Sequence, residues 1–318
     1  MAAFQPGNLP PLSFLQAAPV HEPELDPPFD VVEPARLTAP LVLSSPHSGS
    51  IYPARFLASS RLDAATLRRS EDAYVDELFL GGVKAGGPLI RARFPRAYLD
   101  LNREPYELDP RMFETRLPSF ANTRSVRVAG GLGTVARVVG DSQEIYAHRL
   151  RLDEVLGRIE SLYRPYHRTL EALLTRAWQT FGMTVLIDCH SMPSVSTCPP
   201  GRESERRIKA DFVLGDRYGT SCAADLIDLV EHELRSAGYA VFRNKPYAGG
   251  FITEHYGDPA NHLHAMQIEI NRGLYMDEAN LTKAPRFAGI AEDLSRVMAA
   301  LTAHIAAGNT GTTRAAAE

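Results

Sequence analysis

Residues 185–193, Val-Leu-Ile-Asp-Cys-His-Ser-Met-Pro, constrain this chain more than any other stretch. An apolar run of strand type ends abruptly in Asp188, His190 and Ser191, and Pro193 blocks its continuation. That is the pattern of a buried strand delivering polar groups at its carboxyl end. In open α/β sheets this end is where ligands bind.

A second stretch repeats the logic. Leu41-Val42-Leu43-Ser44-Ser45 reads as a strand, and Pro46-His47-Ser48-Gly49 closes it with a histidine at the tip. Further along, the spacing predicts a helix opening at Ser70-Glu71-Asp72, with Ser70 as N-cap and acids in the first turn. On such a helix Asp72 and Asp76, four apart, share a face. Residues 88–93 and 97–101 read as short strands, and the second runs into Asp100-Leu101-Asn102-Arg103. An Asn-Arg pair at a strand tip suits a carboxylate, because the guanidinium fork binds it bidentately and the amide adds a donor.

Residues 106–144 are glycine-rich and irregular, as in a lid or small hairpin. Apolar positions then recur at helical spacing through residues 145–181, interrupted at Pro165. Strands follow at 211–215, 239–242 and 264–270, with helices at 221–237 and 287–307. Between them, residues 244–250 form a turn-rich loop whose Gly249 and Gly250 let backbone approach a ligand. This alternation predicts an α/β fold, three-layer α/β/α, with a mixed, largely parallel central sheet. Residues 1–36 read as a proline-rich arm, 37–307 as a single catalytic domain and 308–318 as a small polar tail.

With 44% hydrophobic residues, the 318-residue chain can bury a substantial core. A net charge of −4 and the lack of a basic stripe argue against a nucleic-acid binder. The densest basic segment, residues 202–209, also holds Glu203 and Glu205 and reads as a solvated face. Cys189, Cys198 and Cys222 form no disulfide framework, which fits a reducing cytoplasm. Cys189, inside an apolar strand, reads as an inert buried thiol. The N-terminus lacks a basic region followed by an apolar one, and no apolar run approaches the ~20 residues of a membrane span, so neither signal peptide nor membrane partner is expected. Nothing in the sequence specifies an oligomer.

If the strands of His47 and His190 lie parallel in one sheet, both tips reach the same edge. Two imidazoles and a carboxylate, with a fourth position open, make a catalytic zinc site, and Asp72 or Asp76 could supply the carboxylate. On spacing alone, a hydrogen-bonded structural histidine at a strand end is the default reading, ahead of a metal ligand. Glu269 is an acid flanked by Ile268 and Ile270. Facing inward it needs a metal, a water or a proton; facing outward it is the polar half of a strand.

Taken together, these stretches resemble the N-formylglutamate amidohydrolase family, a branch of the zinc exopeptidase-like folds related to carboxypeptidases and aspartoacylases. The resemblance is carried by residues 45–49 with Pro53, Glu71-Asp72 with Asp76, residues 100–103, 188–193, 244–250, and 267–272 with Tyr275. It implies a metal at His47 and His190, a hydrolytic role for Glu269, and a substrate carboxylate at Asn102 and Arg103. In carboxypeptidases the carboxylate ligand follows the first histidine by three residues; that position here is Ser50, which leaves Asp72 and Asp76 as candidates. The expectation is a Zn2+-dependent amidohydrolase, with iron, cobalt or manganese as other metals of suitable ligand preference. Its substrate would be N-formyl-L-glutamate or a similar N-acyl amino acid bearing carboxylates, cleaved to formate (or the acid) and the free amino acid. Arg96 is the candidate for oxyanion stabilisation, and Arg272 for a second carboxylate or for orienting Glu269. The alternatives are a carboxypeptidase- or acylase-like hydrolase and a non-catalytic binding protein of the same fold.

Overall fold

The computed structural model describes residues 21–140, 142–194 and 210–315. Cys198 and the basic segment 202–209 lie outside them. The strands are β1 Phe29–Val32, β2 Leu41–Ser45, β3 Leu89–Ala92, β4 Val138–Val139, β5 Gln143–Glu144, β6 Thr184–Met192, β7 Phe212–Gly215, β8 Val241–Arg243, β9 Leu263–Asn271, β10 Met276–Asp277 and β11 Thr282–Lys283. Seven of them form one sheet in the order β1-β3-β2-β6-β9-β7-β8; β4-β5 and β10-β11 are two-stranded ribbons. β2, β6 and β9 run parallel, β7 turns antiparallel against β9, and β8 follows β7 in parallel. The fold is therefore mixed α/β with a large, mostly parallel central sheet, as the alternation of elements predicts.

β6 is buried along its whole length and β9 along all but Asn271, so the polar side chains of Asp188, His190, Gln267 and Glu269 are buried among apolar ones. Their register pairs Asp188 with Gln267 and His190 with Glu269. Strand side chains alternate between faces, so these four project to one face while Cys189 and Ile268 project to the other.

The chain divides into two compact units. One comprises the residues up to 31, 46–73 and 90–175; the other comprises 32–45, 74–89 and the residues from 176 onward. In the first, Phe56 packs on Tyr98 and Tyr146 (ring centroids 5.1 and 5.8 Å apart), and the buried Arg158 lies 4.1 Å over the Tyr98 ring. In the second, helix Phe287–Ala315 packs on helices Leu80–Lys84 and Ala224–Ser236. Gly81 permits the first contact, because a Cβ there would sit 2.6 Å from the Ser295 Cα.

Several local expectations are corrected. Residues 97–101 are not a strand: the N–H groups of Tyr98 and Leu99 both donate to the Pro95 carbonyl, making a turn. The run is apolar because it is buried, not because it is extended. No helix opens at Ser70. The segment between helices Ala64–Arg68 and Val75–Leu78 is non-helical, and Tyr74 closes it at φ 65°. Asp72 lies in this connection and Asp76 in the following helix, so the two do not share a helix face. The expected arm contributes β1, whose four residues are only half-buried. Pro165 does not break the long helix: Leu152–Arg158 passes through a π turn at Ile159–Tyr163 into Arg164–Phe181. Pro165 lacks the N–H that an uninterrupted α-helix would donate to the Ser161 carbonyl, and the π turn lies just before it. The final helix continues past residue 307 to Ala315.

Candidate active site

β2 ends one residue before Pro46, so His47 sits just beyond the strand tip. The Asp72 N–H donates to the His47 carbonyl at 3.0 Å, tying the non-helical connection to that tip. This brings Asp72 Oδ2 to 3.5 Å from His47 Nδ1. The other ring nitrogen, Nε2, meets Asp100 Oδ1 at 2.7 Å. Asp100 is a hub. Arg96 donates to its Oδ2 at 2.7 Å, Arg103 approaches that oxygen at 3.6 Å, and the Asn102 N–H donates to Oδ1 at 2.9 Å. Arg103 also donates to the carbonyls of Leu132 and Asn102, at 2.8 and 2.7 Å. His47, Asp72, Asp100 and Asn102 are all buried.

On the sheet, His190 Nε2 lies 3.0 Å from Asp188 Oδ1, two residues earlier on the same face of β6. Alongside on β9, Gln267 Nε2 donates to Glu269 Oε1 at 2.7 Å, and the Gly250 N–H donates to Gln267 Oε1 at 2.8 Å. Arg272 Nε donates to Ser191 Oγ at 3.1 Å. Gly249 adopts φ +118°, a conformation open to glycine, just before the helix Phe251–Tyr256 that Gly250 caps.

His47, Asp72 and His190 each offer one ligand atom, and the three atoms lie within 4.8 Å of one another. Asp76 stands outside this group; from its helix it acts electrostatically on Cys189. The donor set fits a metal. It holds two imidazole nitrogens and a carboxylate oxygen, and each histidine turns its Nε2 to a buried carboxylate, Asp100 or Asp188. Metal-bound histidines characteristically hand their second ring nitrogen to such a partner. Sequence reasoning singled out the histidines, the acids and the Asn-Arg pair, but it put the acids on one helix face and the pair at a strand tip, and it missed the contacts of Asp100, Asp188 and Gln267. The one available signal was polarity at alternate positions: Asp188 before His190, and Gln267 before Glu269.

The profile of the N-formylglutamate amidohydrolase family matches residues 39–276. An N-formylglutamate deformylase of Pseudomonas aeruginosa is 30% identical over 254 residues, covering 78% of this chain and 86% of that protein. One from Pseudomonas putida is 28% identical over 243 residues, covering 75% and 82%. Among solved structures, an N-formylglutamate amidohydrolase from Ralstonia eutropha JMP134 superposes with a TM-score of 0.81 at 37% identity, covering 88% of this chain and 99% of its own. The matched span takes in every residue of the constellation just described, and the chain belongs to the N-formylglutamate amidohydrolase family.

Proposed function

We propose that this protein hydrolyses the N-formyl amide of N-formyl-L-glutamate, releasing formate and glutamate. The relatives named for that activity support the substrate. The chemistry rests on one observation: Glu269 is the register partner of His190, so a buried acid stands beside a member of the ligand group His47, Asp72 and His190.

That donor set suits Zn2+ with a position left for water or substrate, and other divalent transition metals share the preference. With Nε2 of each histidine turned to a carboxylate, Nδ1 would be the atom each offers to the ion. When bound, the ion polarises the amide carbonyl and acidifies a water molecule. Glu269 accepts the water's proton and delivers it to the leaving nitrogen. Arg96, fixed by Asp100, is the donor for the carbonyl oxygen. Asn102 and Arg103 hold a substrate carboxylate; the carbonyls of Leu132 and Asn102 fix the plane of Arg103 without consuming all its donors. Arg272 binds the second carboxylate or orients Glu269, and the backbone of Gly249 and Gly250 lines the ligand. No helix among the described residues is long and apolar enough to cross a membrane, and Cys189 and Cys222 are free thiols; both support a cytoplasmic enzyme acting on a small molecule.

The test is formate release from N-formyl-L-glutamate by the zinc-loaded protein. Chelator should abolish turnover and zinc restore it, and Glu269→Gln should lower kcat by about 100- to 10,000-fold. Turnover indifferent to both would overturn the mechanism. Release from other N-acyl amino acids but not this one would indicate an acylase- or carboxypeptidase-like enzyme. Metal binding without turnover of any of them would indicate a binding protein.

A further inference from the structure

We infer that Gln267 is a positioning residue for Glu269, and that the loop at residues 248–250 sets its orientation. The inference rests on the reading of Glu269 as the base. Gln267 is buried on β9, two residues before Glu269 and on the same face. A carboxamide has an acceptor end and a donor end, and its chemistry here leaves one orientation. The Gly250 N–H, 2.8 Å away, can be met only by the amide oxygen. Nε2 therefore points the other way, where it donates to Glu269 Oε1 at 2.7 Å.

The approach of the loop has its own cause. On β7, Gly215 is the register partner of Gln267. A Cβ at Gly215 would stand 2.7 Å from the Ala248 carbonyl carbon and from the Gly249 nitrogen. Only a missing side chain lets this backbone lie on the sheet and bring the Gly250 N–H to Gln267. The loop is held on both sides. The Arg217 N–H donates to the Ala248 carbonyl at 2.8 Å, and Thr253 Oγ1 donates to the Gly250 carbonyl at 3.0 Å. The terminal torsion of a glutamate is broad, so a carboxylate without such a donor samples many planes. With Oε1 held by Gln267, the plane of the Glu269 carboxylate is fixed. A base misplaced by about 1 Å costs up to roughly 100-fold in rate.

The experiment uses the full-length, zinc-loaded protein. Gln267→Met keeps the volume and removes both polar ends. It should retain metal content and circular dichroism, leave KM within about threefold, and lower kcat by about 10- to 100-fold. In a Glu269→Gln background the same change should cost nothing further, because there is no base left to orient. A merely structural glutamine would lower both backgrounds alike. Gly215→Ala displaces the loop without touching either side chain and should give the same kcat-selective loss; it carries the test if Gln267→Met does not fold. Wild-type kcat in either folded variant, or equal losses in both backgrounds, overturns the inference while the base reading stands. Wild-type kcat in Glu269→Gln itself overturns the base reading and this inference with it.

Discussion

Burial alone would push the Asp100 carboxyl up, yet Arg103, Arg96 and His47 outweigh it and hold the group well below the usual carboxylate range. Asp100 is thus a fixed anion facing His47 Nε2, and it keeps the proton on that nitrogen. Asp100→Asn removes the charge and keeps the shape. Metal affinity should fall about 10- to 100-fold in competition with a chromogenic chelator, the usual cost of losing an outer-shell partner. The thiols make the opposite case. Burial, then the charge of Asp188, pushes Cys189 far up; burial, then Asp216, pushes Cys222 up to about 12. Native protein at about pH 8 should therefore alkylate at these two positions far more slowly than denatured protein, read by peptide mass spectrometry. The sequence already demotes Cys189, and strand alternation supplies the reason: it faces away from His190.

Among the elements, helix Leu80–Lys84 meets helix Phe287–Ala315 with no room for a side chain at Gly81. Alanine in place of glycine in a helix gains about 1 kcal/mol of intrinsic propensity. At Gly81 the new Cβ meets the Cα, Cβ and Oγ of Ser295 at 2.6–2.7 Å, and backbone cannot step aside as a flexible side chain would. Overpacking of this kind costs about 1–3 kcal/mol. Gly81→Ala should thus lower the denaturation midpoint despite its better propensity. Element identity was legible wherever pattern and burial agree, as in β2, β6, β9 and helix Ala224–Ser236. It was illegible at residues 97–101, where an apolar run is buried as a turn. It was equally so at residues 70–74, where the Asp72 N–H leaves any local helix for the His47 carbonyl.

For the whole molecule, pH acts through histidines outside the site. Burial lowers the pKa of His255 and of His264, and His264 Nδ1 accepts the Ala223 N–H at 3.2 Å, so both are held neutral in the fold. The unfolded chain binds their protons near the ordinary value of 6.5, above where the native state does. Stability is therefore complete above that value and declines as pH falls through it toward the lowered native values. Metal-free protein should unfold at lower urea concentration at about pH 5.5 than at about pH 7.5. His255→Phe, which preserves the stack on Phe251, should reduce that difference. A urea midpoint independent of pH over this window would count against the assignment.

The sequence by itself determined what lies within one strand or one turn: apolar runs, their polar tips, the acid between two isoleucines, and the glycines before residue 251. These patterns follow from side-chain alternation and burial, which are local. Only the tertiary structure decided that Asp72 rather than Asp76 stands with the two histidines. It alone decided that Asp100 holds a ring nitrogen 53 residues away, and that Gly215 makes room for the loop that orients Gln267. Such partnerships depend on strand register and on backbone approach to within a few tenths of an ångström. Those distances come into being only when distant segments pack, so no periodicity along the chain encodes them.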